Sequence, residues 1–397
     1  MDFQYTPEQE AFRAKVRGWL AANLPPDLCV DDARDERIAP NREIFERRRV
    51  WQRTMYEAGW VGIAWPKQYG GQGADLMEQV IFDEEYGRAR APVLPGYSGV
   101  ALCGPTLMQW GTNEQKQHFL QRILSGDDIW CQGYSEPGSG SDLASLQTRA
   151  VDMGDFFIVN GQKVWTSGAQ YADWIFMLVR TDPNAPKHNG ISYLLVDMKT
   201  PGITVRPLVL ANGHAHFNEV FFEDVRVPKA NLVGPQNEGW KVAVTTLMFE
   251  RSIAGGGNYK EQVQRLAALA RQVKINGQPA WEQTWVRQKL AHLFIECESL
   301  KYTRLRTLTR QLKGLPPGPE GSMLKLTGSE LGVRIAQFAS EMLGDFAMIN
   351  ESIIEIVPDA PRWYNRVLSA RQYTIAGGTS EIQHNIMGER VLGLPKG

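Results

Sequence analysis

Tyr134-Ser135-Glu136-Pro137-Gly138-Ser139-Gly140-Ser141-Asp142 is the stretch on which the reading of this chain turns. Pro137 stiffens it. Gly138 and Gly140, interleaved with Ser139 and Ser141, permit positive φ and leave backbone N–H groups and hydroxyls free to face a phosphate or the edge of a flavin. Taken alone, the stretch reads equally well as a polar surface turn. A second block alters that balance. Phe156-Phe157-Ile158-Val159, then Asn160-Gly161, then Lys163-Val164-Trp165-Thr166-Ser167-Gly168 predicts a β-hairpin with a type I′ turn, which puts Trp165 and Ser167 on one face of a strand. A flat indole and a nearby hydroxyl suit a flavin ring, although burial in a core is the commoner fate of a strand tryptophan.

Length and composition bound the answer. A chain of 397 residues that is 43% hydrophobic can bury a large core and suggests two or three domains. A formal net charge of -1 and the lack of a basic segment argue against nucleic acid as a partner. Met1 to Tyr5 runs into charge rather than an apolar leader, and no apolar run approaches membrane-spanning length. The expectation is a soluble cytoplasmic protein. Cys29, Cys103, Cys131 and Cys297 are scattered with no CxxC or His-paired spacing, so they read as reduced packing residues and no metal site is expected. There is no GxGxxG, no GxxxxGK[ST], no HExxH and no GxSxG.

The elements fall into three runs. Thr6-Pro7-Glu8-Gln9 is a capping box that opens a helix through about Asn23. Arg42 to Ala58 and the segments after Asp75 and Thr112 are also helical by pattern or cap. From Ile129 short apolar runs take over, at Ile175 to Val179, Ile191 to Val196, Ile203 to Val205 and Val220 to Phe222, separated by turn residues. After Val227-Pro228 and Gly234-Pro235, long helical patterns return, interrupted by Leu315-Pro316-Pro317-Gly318-Pro319. The order argues for an α+β chain, with a helical domain at 1–128, a β domain at 129–233 and a helical domain at 234–397.

With Ala376-Gly377-Gly378-Thr379-Ser380-Glu381-Ile382-Gln383 near the C-terminus, the two earlier blocks resemble, in order and separation, the signature segments of the flavin-dependent acyl-CoA dehydrogenases. The resemblance covers essentially the whole chain. It implies an N-terminal helical domain, a central β-barrel-like domain and a C-terminal four-helix bundle, with FAD as cofactor. It implies flavin contacts for Gln132, Ser135, Gly140, Ser141, Trp165, Thr166 and Ser167. Thr379 and Glu381 match positions that meet the adenosine half of FAD. Ser141, Arg251, Gly377 and Gly378 match positions that meet the acyl-CoA substrate.

Departures from the pattern are equally informative. Many relatives carry their catalytic glutamate where this chain has Gly377, and glycine cannot take a proton. A second branch puts the base in a Glu-Arg pair on the first helix of the C-terminal bundle, and here Leu247-Met248-Phe249-Glu250-Arg251 stands in that place. Glu250 is therefore the expected base, against the alternative of a surface Glu-Arg pair. Trp240, Val244, Leu247 and Met248 are expected to put an apolar face alongside it. The backbone N–H of Gly377 is expected to help polarise the thioester carbonyl, and burial would raise the pKa of Glu250 toward that of the activated α-proton. Gly255-Gly256-Gly257, each glycine costing about 1 kcal/mol in a helix interior, points to a close approach to ligand. Val273 to Gly277 and Glu341 depart from the segments that touch a neighbouring subunit's FAD, so those contacts are not assigned.

The expected activity is α,β-dehydrogenation of an acyl-CoA in fatty acid metabolism of the β-oxidation type, with electrons passed to an electron-transfer flavoprotein. The expected assembly is a homotetramer, with a heteromer of related chains as the other arrangement. A flavin oxidase or monooxygenase on the same fold and a partner subunit are the alternatives.

Overall fold

The Thr6 hydroxyl accepts from Gln9 N while the Gln9 side chain accepts from Thr6 N, so the capping box closes and α1 runs Pro7–Asn23. The computed structural model describes residues 5–30, 38–254, 259–315, 318, 320–349 and 360–395. Helices α2 (Arg42–Glu57), α3 (Leu76–Arg88), α4 (Gly104–Trp110) and α5 (Asn113–Ser125) follow. The second and third capping boxes, at Asp75 and Thr112, start α3 and α5. Glu85 on α3 is buried and takes Arg13 and Arg17 of α1 at 2.8 Å each. Those charges face each other because the two helices pack through an apolar seam that includes Trp19, Trp60 and Phe82.

Eight strands then form one sheet: β1 Trp130–Gly133, β2 Arg149–Asp152, β3 Phe156–Lys163, β4 Trp174–Arg180, β5 Ile191–Asp197, β6 Ile203–Leu208, β7 Phe217–Pro228 and β8 Leu232–Val233. Their order is β6-β7-β3-β2-β4-β5-β8, with β1 parallel to β4. Strand β4 is buried on both faces, which is why it reads as a continuous apolar run rather than an alternation. Ile175, Met177 and Val179 pack with Phe157, Val159, Leu194 and Val220 inside the β domain. Phe176 and Leu178 turn the other way and join Leu107, Phe119 and Leu120 from the helices.

The expected hairpin at Asn160-Gly161 does not form. Strand β3 stays extended through both residues, paired to β2 on one side and β7 on the other, and the register slips between Val159 and Gly161. Asn160 Nδ2 donates to Asp224 Oδ1, and Asp224 N donates to Asn160 Oδ1, both at 2.9 Å. Gly161 has φ +149°, and a Cβ there would lie 2.7 Å from Thr148 Cα. The dipeptide therefore serves a β-bulge. The turn of this hairpin lies earlier, where Met153 N donates to Phe156 O and Gly154 takes φ +94°. Two-sided pairing outweighed a strong local turn signal.

Helix α6 (Gly239–Ala254) is followed by α7 (Tyr259–Gln272), a two-stranded β9 (Lys274–Ile275) and β10 (Gln278–Pro279), and α8 (Thr284–Leu312). Then come α9 (Glu320–Leu343), α10 (Ala360–Ala370), the single turn α11 (Gln372–Ile375) and α12 (Ser380–Arg390). The chain divides into two units, Met1–Phe249 and Glu250–Gly397. In the second, Val263, Leu266 and Leu269 of α7 and Val286, Leu290, Leu293 and Cys297 of α8 recur at helical spacing and meet Leu331, Ile335 and Phe338 of α9. Part of the Leu315–Pro319 linker and all of Gly255–Gly257 lie outside the described residues. Among the described residues, no helix is long and apolar enough to cross a membrane, and no acidic, His or Cys cluster has the makings of a metal site.

Candidate active site

In the first unit the two central blocks, distant in sequence, are tied together. Val164 N donates to Ser135 O at 2.9 Å. The Lys163 ammonium, fully buried, donates to Glu136 Oε1 at 2.8 Å and to Tyr134 O at 3.2 Å. Glu136 also accepts from Gln147 N at 2.6 Å and Thr148 N at 2.9 Å. Burial pulls the Lys163 pKa down to about 8, opposed by Glu136. Glu136 itself stays below its ordinary value because the pull of Lys163 and these donors outweighs the penalty of burial. Neither partner was picked out from the sequence as a pair. Each belongs to a quoted block, but only the paired strands bring them together.

Past Lys163 the chain leaves the strand, so Trp165 and Ser167 do not share a strand face as expected. Trp165 takes φ +59° and its indole is 56% exposed. A left-handed backbone at a large residue costs about 1–2 kcal/mol, and bonds on both sides hold it. On one side is the Val164–Ser135 bond. On the other, Thr166 N donates to Asn218 O at 3.1 Å, and buried Asn218 returns Nδ2 to Thr166 O at 2.9 Å. The outcome is an indole standing proud of the sheet, edge-on to Phe217. Ser167 is half-buried, whereas Thr166 is fully buried, so its hydroxyl faces protein rather than an open surface.

Gly138 and Gly140 do not use the positive φ that glycine permits. A Cβ built on either would meet nothing within 4 Å. Backbone strain therefore does not call for glycine here, and the space over both residues is open. Ser139 is buried and spends its hydroxyl on Asp142 O and Leu143 O. Ser141 is exposed, while Gln132 and Ser135 are half-buried. A projecting indole, two serine hydroxyls and glycines that leave room above the chain fit the requirements of a flavin ring and its phosphates.

In the second unit the C-terminal block folds as a tight loop leading into α12. Thr379 caps that helix, its hydroxyl accepting from Ile382 N. Glu381 is exposed in the first turn, and the helix-terminal amides and the Thr379 hydroxyl lower its pKa. Gly377 (φ +68°) and Gly378 (φ +94°) form the loop. A Cβ on Gly377 would lie 3.9 Å from Glu250 Oε1. The two positions considered for the base are thus neighbours in space although 127 residues apart in sequence. Glu250 is half-buried. The apolar face expected beside it is drawn differently: Val242 and Ala243 are buried, while Val244 and Met248 are largely exposed. The Arg251 side chain lies outside the described residues.

Comparison with known proteins identifies the family. Residues 6–127 match the model described as "Acyl-CoA dehydrogenase, N-terminal domain", residues 131–225 the middle domain and residues 237–392 the C-terminal domain. The chain is 39% identical over 394 residues to "Acyl-CoA dehydrogenase IpdE1" of Mycobacterium tuberculosis, covering 98% of both chains. It also resembles a solved "Tcur3481-Tcur3483 steroid ACAD", with TM-score 0.85, 34% identity and full coverage of both chains. A similar match is the "ChsE4-ChsE5 complex from Mycobacterium tuberculosis", with TM-score 0.82, 34% identity and full coverage of both chains. The chain belongs to the acyl-CoA dehydrogenase family, whose members are FAD-dependent oxidoreductases.

Proposed function

We propose that the protein oxidises the Cα–Cβ bond of an acyl-CoA thioester to a trans-2-enoyl-CoA, with Glu250 as the base. The observation that carries this reading is the 3.9 Å between Glu250 Oε1 and the Cβ position of Gly377. A carboxylate from α6 stands where a carboxylate from the C-terminal loop could otherwise act. The Gly377 N–H then polarises the thioester carbonyl, acidifying the α-proton that Glu250 removes. Bound FAD supplies the acceptor for the β-hydride. Ser135, Gly140, Ser141, Trp165 and Ser167, with Gln132 at the start of the block, hold its flavin and pyrophosphate. Thr379 and Glu381 meet its adenosine half. The electrons leave to an electron-transfer flavoprotein.

The acyl group in this reading is bulky and polycyclic, of steroid type. Support comes from the solved relative titled a steroid ACAD and from the glycine run at 255–257, which follows the proposed base closely in sequence and carries no side chains. The assembly is a multimer of this chain with itself or with a related chain; two of the similar structures pair two different names in their titles. The test is turnover of straight-chain, branched, aromatic and steroid carboxylic acid CoA thioesters with an artificial electron acceptor. The steroid thioester should give the highest kcat/KM. Best turnover of a short straight chain would refute the substrate class while leaving the reaction intact.

A further inference from the structure

The Gly377–Gly378 loop is gripped from two directions by buried side chains that the reaction scheme above does not use. Lys325 on α9, only 5% exposed, donates its ammonium to Gly378 O at 2.6 Å. Gln383 on α12, 1% exposed, donates Nε2 to Gly377 O at 3.0 Å and to Gly378 O at 3.3 Å. Gln383 Oε1 is buried and without a partner among the described residues, an arrangement that costs stability. A Cβ on Gly378 would lie 2.6 Å from Gln383 Nε2, so the amide sits tight against the loop. Two adjacent glycines at positive φ form the most freely rotating segment a backbone can have, yet a carbonyl-polarising N–H works only if its direction is fixed. The charged bond and the amide fork hold the two peptide units that follow this N–H and so restrict rotation about the glycine backbone.

We propose that Lys325 and Gln383 are positioning residues for catalysis: by clamping the carbonyls of Gly377 and Gly378 they aim the Gly377 N–H at the substrate carbonyl beside Glu250. This rests on the reading of Glu250 and Gly377 given above. Lys325→Met keeps length and packing without the donor. Gln383→Leu removes the fork without altering charge, which separates the clamp from any long-range effect of the ammonium. Lys325→Arg restores a cationic donor.

The experiment uses FAD-loaded protein and two readouts. On the thioester that the wild-type enzyme turns over fastest, Lys325→Met and Gln383→Leu should each lose kcat by about ten- to a hundredfold, as expected for a misdirected group, with KM changed by less than about threefold. Lys325→Arg should recover most of that loss. With the 3-thia analogue of that same thioester, non-oxidisable because sulfur replaces the β-carbon, the charge-transfer band that marks α-deprotonation should appear at higher pH in both defective variants. Variants that bind FAD and reach wild-type kcat, or that deprotonate the probe at the wild-type pH, would overturn the proposal. Should Lys325→Met fail to fold, Gln383→Leu carries the same test. Glu250→Gln run in parallel keeps the two ideas apart. If that variant turns over normally, the underlying reading fails. If it is inactive while the clamp variants are normal, only this inference fails.

Discussion

Moving the base across the site is the perturbation that uses the geometry most fully. In a Glu250→Gln, Gly377→Glu double variant the original carboxylate becomes an amide and a new carboxylate enters from the facing segment. The nearest atom to a Cβ at Gly377 is Glu250 Oε1 at 3.9 Å, an ordinary van der Waals contact, so the graft begins without a clash. Its cost is conformational: φ is +68° at Gly377, and a side chain held there costs about 1–2 kcal/mol. Removing a general base lowers the chemical step by about 10²–10⁴-fold. The grafted glutamate should recover roughly tenfold of that, the strain and imperfect aim consuming the rest. The assay is anaerobic stopped-flow reduction of bound flavin, with Glu250→Gln, Gly377→Ala as the control that carries the strain without a carboxylate. A glutamate graft no faster than the alanine control, with FAD bound in both, would refute the claim that both positions face one α-carbon.

Three further outcomes follow from the first unit. Gly140→Ala should leave the melting temperature within a degree or so, because no protein atom lies near the added methyl, yet weaken FAD binding severalfold by calorimetry; unchanged affinity would mean that nothing packs over the glycine. Lys163→Met, which leaves Glu136 buried without its counter-charge, should cost about 3 kcal/mol by denaturant titration and raise the FAD dissociation constant at least tenfold. A stable variant with normal FAD affinity would show that the pair does not brace the loop. Arg17, with Arg13, holds Glu85 down at about 2 against an ordinary 4.5. In that window the unfolded chain binds the extra proton, so stability contributed by Glu85 is present above pH 4.5 and is lost as pH falls toward 2. Glu85→Gln should flatten this acid limb in melts recorded across it, and an unchanged limb would assign it to other carboxylates.

What was legible in the sequence was local or periodic. Thr6, with its glutamine partner three residues on, marked the start of α1 because the capping box is made within one turn. The apolar run at Ile175 to Val179 marked β4 because both faces of that strand are buried. Local signals failed where distant partners decide. Asn160-Gly161 carries a strong short-range turn signal, yet β2 and β7 hold it extended. Gly138 and Gly140 read as residues that permit positive φ, and neither adopts it. The Lys163–Glu136 pair and the grip of Lys325 and Gln383 on the glycine loop were invisible, since a lysine or glutamine in a helical or strand pattern ordinarily reads as a solvated surface residue. The closeness of Glu250 to Gly377 came from family resemblance; no spacing rule joins residues on different elements so far apart.

The most direct test of the central claim is the rate of flavin reduction in Glu250→Gln loaded with FAD and mixed anaerobically with the preferred acyl-CoA. The amide has nearly the size of the carboxylate, so binding of cofactor and thioester should persist while α-proton removal slows by at least about a hundredfold. Flavin reduction at the wild-type rate would place the base elsewhere and contradict the account.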